Sequence, residues 1–339
     1  MRYFLLPLLI TLFITSAQAF QIEEMPPEEL TLDAIGADLK SGSFSTSRTD
    51  ISVGPAGSPD ALVFSRQYNS QARRIGSLGI GWSHNLDVRA VRQISQGNTI
   101  VNILGGMSNT RFTKNGSTYS PDDANGDQLI STTVSGLEHF EYISRSGTRI
   151  EFVPIDSSAC ADPQLVCNFR ATLLIKANNE RLTFSYASNG NLMSVNSTLG
   201  YNISFVYNSS QRITSVQAVN LADTYCAPAY GGPAYCNLSS WPKITLSYAG
   251  SGNKRLASVT DTQGNTRSYN YNSGDRLTAI FKPTLISADQ SITYGGPSNR
   301  VTQINRAGYG NWTYQYQSDR TTVTDPTGCL LYTSDAADE

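Results

Sequence analysis

The side chains able to do chemistry here begin with four cysteines in two close pairs. Cys160 and Cys167, and separately Cys226 and Cys236, sit in loops containing Pro, Ala and Asn. In an oxidising compartment such pairs close local disulfides, each worth about 2–3 kcal/mol through loop closure. Zinc binding is the rival chemistry, but the spacings match no common zinc pattern, and the two histidines, His84 and His139, are remote in sequence. Asp122-Asp-Ala-Asn-Gly-Asp127 alternates carboxylates with Asn and Gly as calcium loops do, yet it lacks the twelve-residue pattern with its terminal Glu and reads as a solvated turn.

Other candidates carry less. Gly76, Gly79 and Gly81 resemble a phosphate loop only superficially, because they run into Trp82 and an alternating strand and not into a helix N-terminus. His84 follows Trp82 in what reads as a structural turn. No Gly-x-Ser-x-Gly elbow or His-Glu-x-x-His motif occurs, and no carboxylate pair of the glycosidase kind is singled out. The expectation is a non-enzymatic chain with no catalytic residues, no cofactor and no metal.

Tyrosine is the residue type with strict spacing. Tyr186, Tyr207, Tyr248, Tyr271, Tyr294 and Tyr316 lie 21, 41, 23, 23 and 22 residues apart, a period of about 22 with one interrupted unit. Behind five of them the same phrase returns: Leu192/Val195, Ile213/Val216, Leu256/Val259, Leu277/Ile280 and Val301/Ile304. Arg212, Arg255, Arg276 and Arg300 each precede the first aliphatic. Such a period marks a stacked repeat whose units cannot bury their apolar faces alone. The tyrosines could serve as stacking platforms for sugars, but their regularity favours a repeat core.

The elements that must position these residues are strands. Segments such as Thr183-Phe-Ser-Tyr186 and Ser204-Phe-Val-Tyr207 alternate large apolar with smaller polar residues, a polar turn follows, and a second strand carries the aliphatic pair, so one unit is a β-hairpin. Upstream, Ser43 to Val53, Ala61 to Asn69, Val88 to Ile94, Thr99 to Leu104, Thr110 to Phe112, Glu138 to Ser144, Arg149 to Val153 and Leu173 to Ile175 read as further strands. The insertion holding Cys226 and Cys236 reads as a stapled loop.

Charge and termini bound the class. Lys+Arg 25 against Asp+Glu 27 gives a net charge of -2, which speaks against phosphate-dominated nucleic-acid binding. Residues 1–19 read as a signal peptide, with Arg2, an apolar run from Phe4 to Ile14 and Ala17-Gln-Ala19 as cleavage site. No other stretch is long and apolar enough to span a membrane as a helix. Residues 20–41 read as an acidic leader, a flexible or capping segment. The last residues, 329–339, break the repeat and resemble the translated adapter of a sequencing library, so Gly328 is expected to be the last natural residue.

Two units, Phe184-Ser-Tyr186-Ala-Ser-Asn-Gly190-Asn-Leu192-Met-Ser-Val195 and Tyr269-Asn-Tyr271-Asn-Ser-Gly274-Asp-Arg276-Leu277-Thr-Ala-Ile280, resemble the YD repeat of the RHS family, with Tyr-Asn or Tyr-Ala in place of Tyr-Asp. Ala61-Leu-Val-Phe-Ser-Arg-Gln-Tyr-Asn69 and Gly79-Ile-Gly-Trp-Ser-His84 resemble the region preceding the repeats in such proteins. Asp325-Pro-Thr-Gly328 is similar to the family's self-cleavage motif, but aligns as well with the inter-repeat turn Asp261-Thr-Gln-Gly264.

The resemblance implies an all-β fold: an N-terminal β-rich domain over 42–175, then stacked YD hairpins over 176–328 forming a curved, open sheet, part of a shell. It also implies a scaffold that encloses or presents a C-terminal effector, here missing. The alternative is a cell-surface adhesin or carbohydrate-binding repeat protein, whose partner is a glycan or a neighbouring cell.

Overall fold

The computed structural model describes residues 31–334 apart from 56, 106–107, 223–240 and 319. The expected signal peptide, residues 20–30 of the leader and the Cys226/Cys236 pair lie outside the described residues. Within them the chain is almost entirely β, with one short helix, Ser157–Ala161, capped by the Asp156 carboxylate on the amides of Ser158 and Ala159.

Eight strands, from Val88–Ser95 to Cys167–Ile175, pair antiparallel in chain order and close on themselves. Closure comes from the first half of Cys167–Ile175, where Cys167 pairs with Arg92 and Arg170 with Arg89. Phe112, Tyr119, Phe140, Phe152 and Phe169 are buried core residues of this ring, with Phe140 edge-on to Phe169 at 4.8 Å and to Tyr119 at 5.4 Å. Arg92, also buried, pairs with Glu138 at 2.9 Å and donates to the carbonyls of Cys160 and Asp162. The Cys160–Cys167 disulfide, Cα to Cα 4.8 Å, ties the helix to the closing strand.

The same closing strand starts the repeats. Its second half, Leu173–Ile175, pairs with Arg181–Tyr186, and the sheet then continues hairpin by hairpin to Leu330–Ser334. The chain is therefore all-β, as its composition implies, and the position expected to divide it, 175/176, falls inside one continuous sheet.

A separate three-stranded sheet, Ser45–Val53, Leu62–Asn69 and Trp82–His84, lies against the repeat strip. Phe64 meets Phe205 at 5.9 Å and Trp82 meets Tyr269 at 5.1 Å, so the apolar alternation Leu62, Phe64, Tyr68 is buried against the repeats. Residues 31–44 extend this layer to the last units: Ala37 and Phe44 are fully buried, the Asp33 carboxylate accepts the amides of Ile35, Gly36 and Ala37, and Thr321 Oγ1 donates to the Leu39 carbonyl. The last strand, Leu330–Ser334, pairs along Arg320–Thr324, with Leu330 and Leu331 exposed.

Candidate functional site: the covered face of the repeats

The aliphatic pair stands at positions i and i+3, which in a regular strand would point to opposite faces. Both members are nevertheless buried in all five units. A β-bulge reconciles the two facts. Tyr271 pairs with Leu277 while Asn270 pairs with Ala279, leaving Thr278 as the extra residue that resets the alternation. The same shift recurs at Tyr186/Leu192, Tyr207/Ile213, Tyr248/Leu256 and Tyr294/Val301.

A bulge takes backbone groups off the ladder, and buried groups of that kind need partners. The repeat tyrosines supply them. Tyr207 donates its hydroxyl to the Leu192 carbonyl at 3.0 Å, Tyr248 to Ile213 at 2.6 Å, Tyr271 to Leu256 at 2.7 Å and Tyr294 to Leu277 at 2.9 Å. Each ring thus packs on the core while its hydroxyl caps the bulge of the unit before. Tyr186 does the same to Ala171 in the closing strand, at 2.8 Å. Burial pushes these phenols above their ordinary pKa, so they stay protonated donors. Tyr316 departs from the pattern: its pair, Thr321 and Val323, is spaced i, i+2 without a bulge, and its buried hydroxyl has no hydrogen-bond partner. The arginine before the bulge stacks on the next unit's ring, Arg255 on Tyr271 at 6.0 Å and Arg300 on Tyr316 at 5.2 Å.

The N-terminal layer takes the matching N–H groups. The Ile213 amide donates to the Ser77 carbonyl at 2.9 Å, Val301 to the Gly42 carbonyl at 2.8 Å, and Leu277 to the Tyr68 hydroxyl at 2.9 Å. Trp82 Nε1 donates to the Tyr271 hydroxyl at 2.8 Å. Gly79 and Gly81 permit this approach: both have positive φ, and a Cβ would stand 2.7 Å from the Lys254 carbonyl oxygen or 2.6 Å from the Tyr68 ring.

Several of the other residues singled out in the sequence have structural places. His84 is buried between Phe64 and Phe205, at 5.2 and 5.6 Å, and burial lowers its imidazole pKa to about 4. Asp122 pairs with Arg111 at 2.9 Å, and Asp127 accepts from Tyr142 and the Arg145 amide. Asp325 accepts the amides of Thr327 and Cys329 just as Asp261 accepts those of Gln263 and Asn265, so both segments are the same turn. Among the described residues, no three His, Cys, Asp or Glu side chains gather to hold a metal, and no helix is long and apolar enough to cross a membrane.

Sequence reasoning missed Arg66 and Asp50. Arg66 is 1% exposed, its guanidinium forks onto the Asp50 carboxylate, and its Nη1 donates to the Tyr269 hydroxyl at 2.9 Å. Burial alone would lower its pKa, but Tyr269 and Asp50 raise it above the ordinary value, so the guanidinium keeps its charge. The signal was present: an arginine on the buried face of a strand demands a counter-ion.

A cleft of about 220 Å³ remains between the layer and the first two units, lined in part by Arg74, Asp87, Tyr186, Asn191, Tyr207 and Gln211. Burial would raise the Asp87 carboxyl, but Arg74, 3.5 Å away, and Arg89 hold it below the usual carboxylate range.

Two family models match in sequence, a domain of unknown function (DUF6531) over residues 37–108 and the RHS repeat over 251–280. The second falls on a bulged hairpin with its capping tyrosine. The chain carries an RHS repeat. The first covers most of the N-terminal layer and the opening strands of the ring, so the segment that packs on the repeats is itself a recognised sequence unit.

No curated protein matches the sequence. Among solved structures, the TcdB2-TccC3-Cdc42 crystal structure is similar at 11% identity and TM-score 0.29, covering 86% of this chain and 16% of that one. The N-terminal domain of effector protein SpvB from Salmonella typhimurium is similar at 13% identity and TM-score 0.29, covering 85% of this chain and 99% of that one. TcdB2-TccC3 without its hypervariable C-terminal region is similar at 12% identity and TM-score 0.29, covering 90% and 16%. The chain thus spans 16% of the length of the first of these neighbours.

Proposed function

We propose that this chain is the N-terminal part of an exported, non-enzymatic RHS-type shell that encloses or presents a C-terminal effector. The observation that carries the reading is the use of the repeat tyrosines. Their hydroxyls are spent on bulge carbonyls and their rings on the core, and the face they line is covered by the chain's own residues 31–87. That is the chemistry of a wall. Export is supported by the signal-like N-terminus and by the Cys160–Cys167 disulfide, which belongs to an oxidising compartment.

Sequencing the gene beyond the codon for Gly328 tests this reading. Further tyrosine units followed by an unrelated segment are expected; a stop codon or a membrane anchor immediately downstream would overturn it.

A second reading, a carbohydrate-binding surface protein, is favoured by the 220 Å³ cleft, where tyrosine rings adjoin Asn191 and Gln211, whose side chains bond at 2.5 Å. A glycan array decides: reproducible binding abolished by Gln211→Ala would establish an adhesin, and a blank array would remove it.

A further inference from the structure

A second, smaller cleft, about 100 Å³, opens where the N-terminal layer meets the repeat strip, and three of the side chains lining it are arginines: Arg48, Arg66 and Arg267. We propose that this cleft binds a small oxyanion of the phosphate, sulfate or carboxylate class, and that the anion clamps the N-terminal layer to the repeats.

Charge is the first argument. The carboxylate of Asp50 is engaged by the Arg66 fork and approached by Arg48 Nε at 3.6 Å, so one carboxylate serves two guanidinium groups. The neighbouring acids make their direct bonds elsewhere, Asp289 to Lys282 at 2.7 Å and Asp261 to the amides of its own turn, and reach Arg267 and Arg48 only through their fields. Arg267 is left facing Arg48 and Arg66. Its Nε is buried without a hydrogen-bond partner, which costs free energy unless a ligand supplies an acceptor. Burial lowers the Arg267 pKa, with the fields of Arg48 and Arg66 adding to it and those of Tyr269 and Asp289 opposing it.

Size and access agree. A volume near 100 Å³ is several times what a single water requires and suits one compact oxyanion. Trp82, Tyr269 and Ile280 wall the inner side, so desolvation strengthens the contact, while Arg48, with its side chain half exposed, keeps the mouth open to solvent. Arg48 and Arg66 belong to the layer and Arg267 to the repeats, so an anion between them contacts both.

The test is thermal unfolding of the purified protein in sodium phosphate, sulfate or acetate, each against chloride at equal ionic strength, with Arg267→Gln and Arg48→Gln in parallel. At tenfold excess over Kd the midpoint should rise by about 3 °C. The site-specific part of that rise should be lost in both variants, while the general stabilisation that sulfate gives any protein remains in them and is subtracted by the comparison. A response to phosphate and sulfate alone identifies a tetrahedral anion; an equal response to acetate identifies a carboxylate, as on a peptide C-terminus or an acidic sugar. A wild-type midpoint no higher than in chloride, or a rise that persists unchanged in both variants, overturns the proposal.

Discussion

Tyr271 joins three parts of the molecule through one oxygen: it donates to the Leu256 carbonyl and accepts from Trp82 Nε1. Tyr271→Phe leaves both buried partners unsatisfied and should cost about 2 kcal/mol in urea unfolding, whereas Tyr309→Phe, at a ring 66% exposed, should cost about nothing. Equal effects would show the repeat hydroxyl to be idle. His84 sets a pH dependence. Its folded pKa of about 4 lies below the ordinary 6.5, chiefly through burial. The unfolded chain therefore binds a proton between these values that the folded chain does not. The contribution of neutral His84 is complete above pH 6.5 and declines as pH falls towards 4, by roughly 3 kcal/mol. Over that interval the wild type should lose that much more stability than His84→Phe; parallel pH profiles would refute it.

At the scale of the element, the bulge is what makes a hairpin into a repeat. Deleting Thr278 would remove the bulge and leave Leu277 and Ile280 two residues apart on one face, as Thr321 and Val323 already are, so both should stay buried. The cost, about 1–3 kcal/mol, should come from the Leu277 carbonyl and the Tyr294 hydroxyl losing each other, while Thr278→Ala should be nearly silent. A deletion variant as stable as the wild type would show the bulge and its tyrosine cap to be idle. Here the sequence was half legible. The tyrosine period, the strands and the turns followed from residue types, and hairpins such as Thr266–Tyr271 with Leu277–Phe281 stand where expected. The bulge was written in the i, i+3 spacing, which contradicts a flat strand, but that contradiction shows its meaning only when both residues are seen buried. Ring closure was not legible, because Val88–Ser95 and Cys167–Ile175 meet across dozens of intervening residues with no local pattern to mark it.

For the molecule as a whole, the N-terminal layer and the strip are complementary halves of one core. Phe44, Phe64, Tyr68 and Trp82 share that core with the aliphatic pairs of the repeats. A chain beginning at residue 88 should expose a continuous apolar face, bind a hydrophobic dye and self-associate in sedimentation, whereas the longer chain should not. A monomeric, dye-negative truncation would mean that the strip stands without its cover. The layer itself was legible as strands, but its position on the inner face was not, since contacts such as Arg66 to Tyr269 join residues with no sequence relation.

The strand Cys167–Ile175 belongs to two objects at once, half of it sealing the ring and half of it opening the strip. A ring has no free margin, so units can be gained or lost only on the far side of that fork. Changing the repeat number by whole periods would leave the origin untouched and alter the wall in discrete steps. The fork thus gives the architecture a zero point from which units can be counted, and a lineage could lengthen the wall without redesigning how it starts.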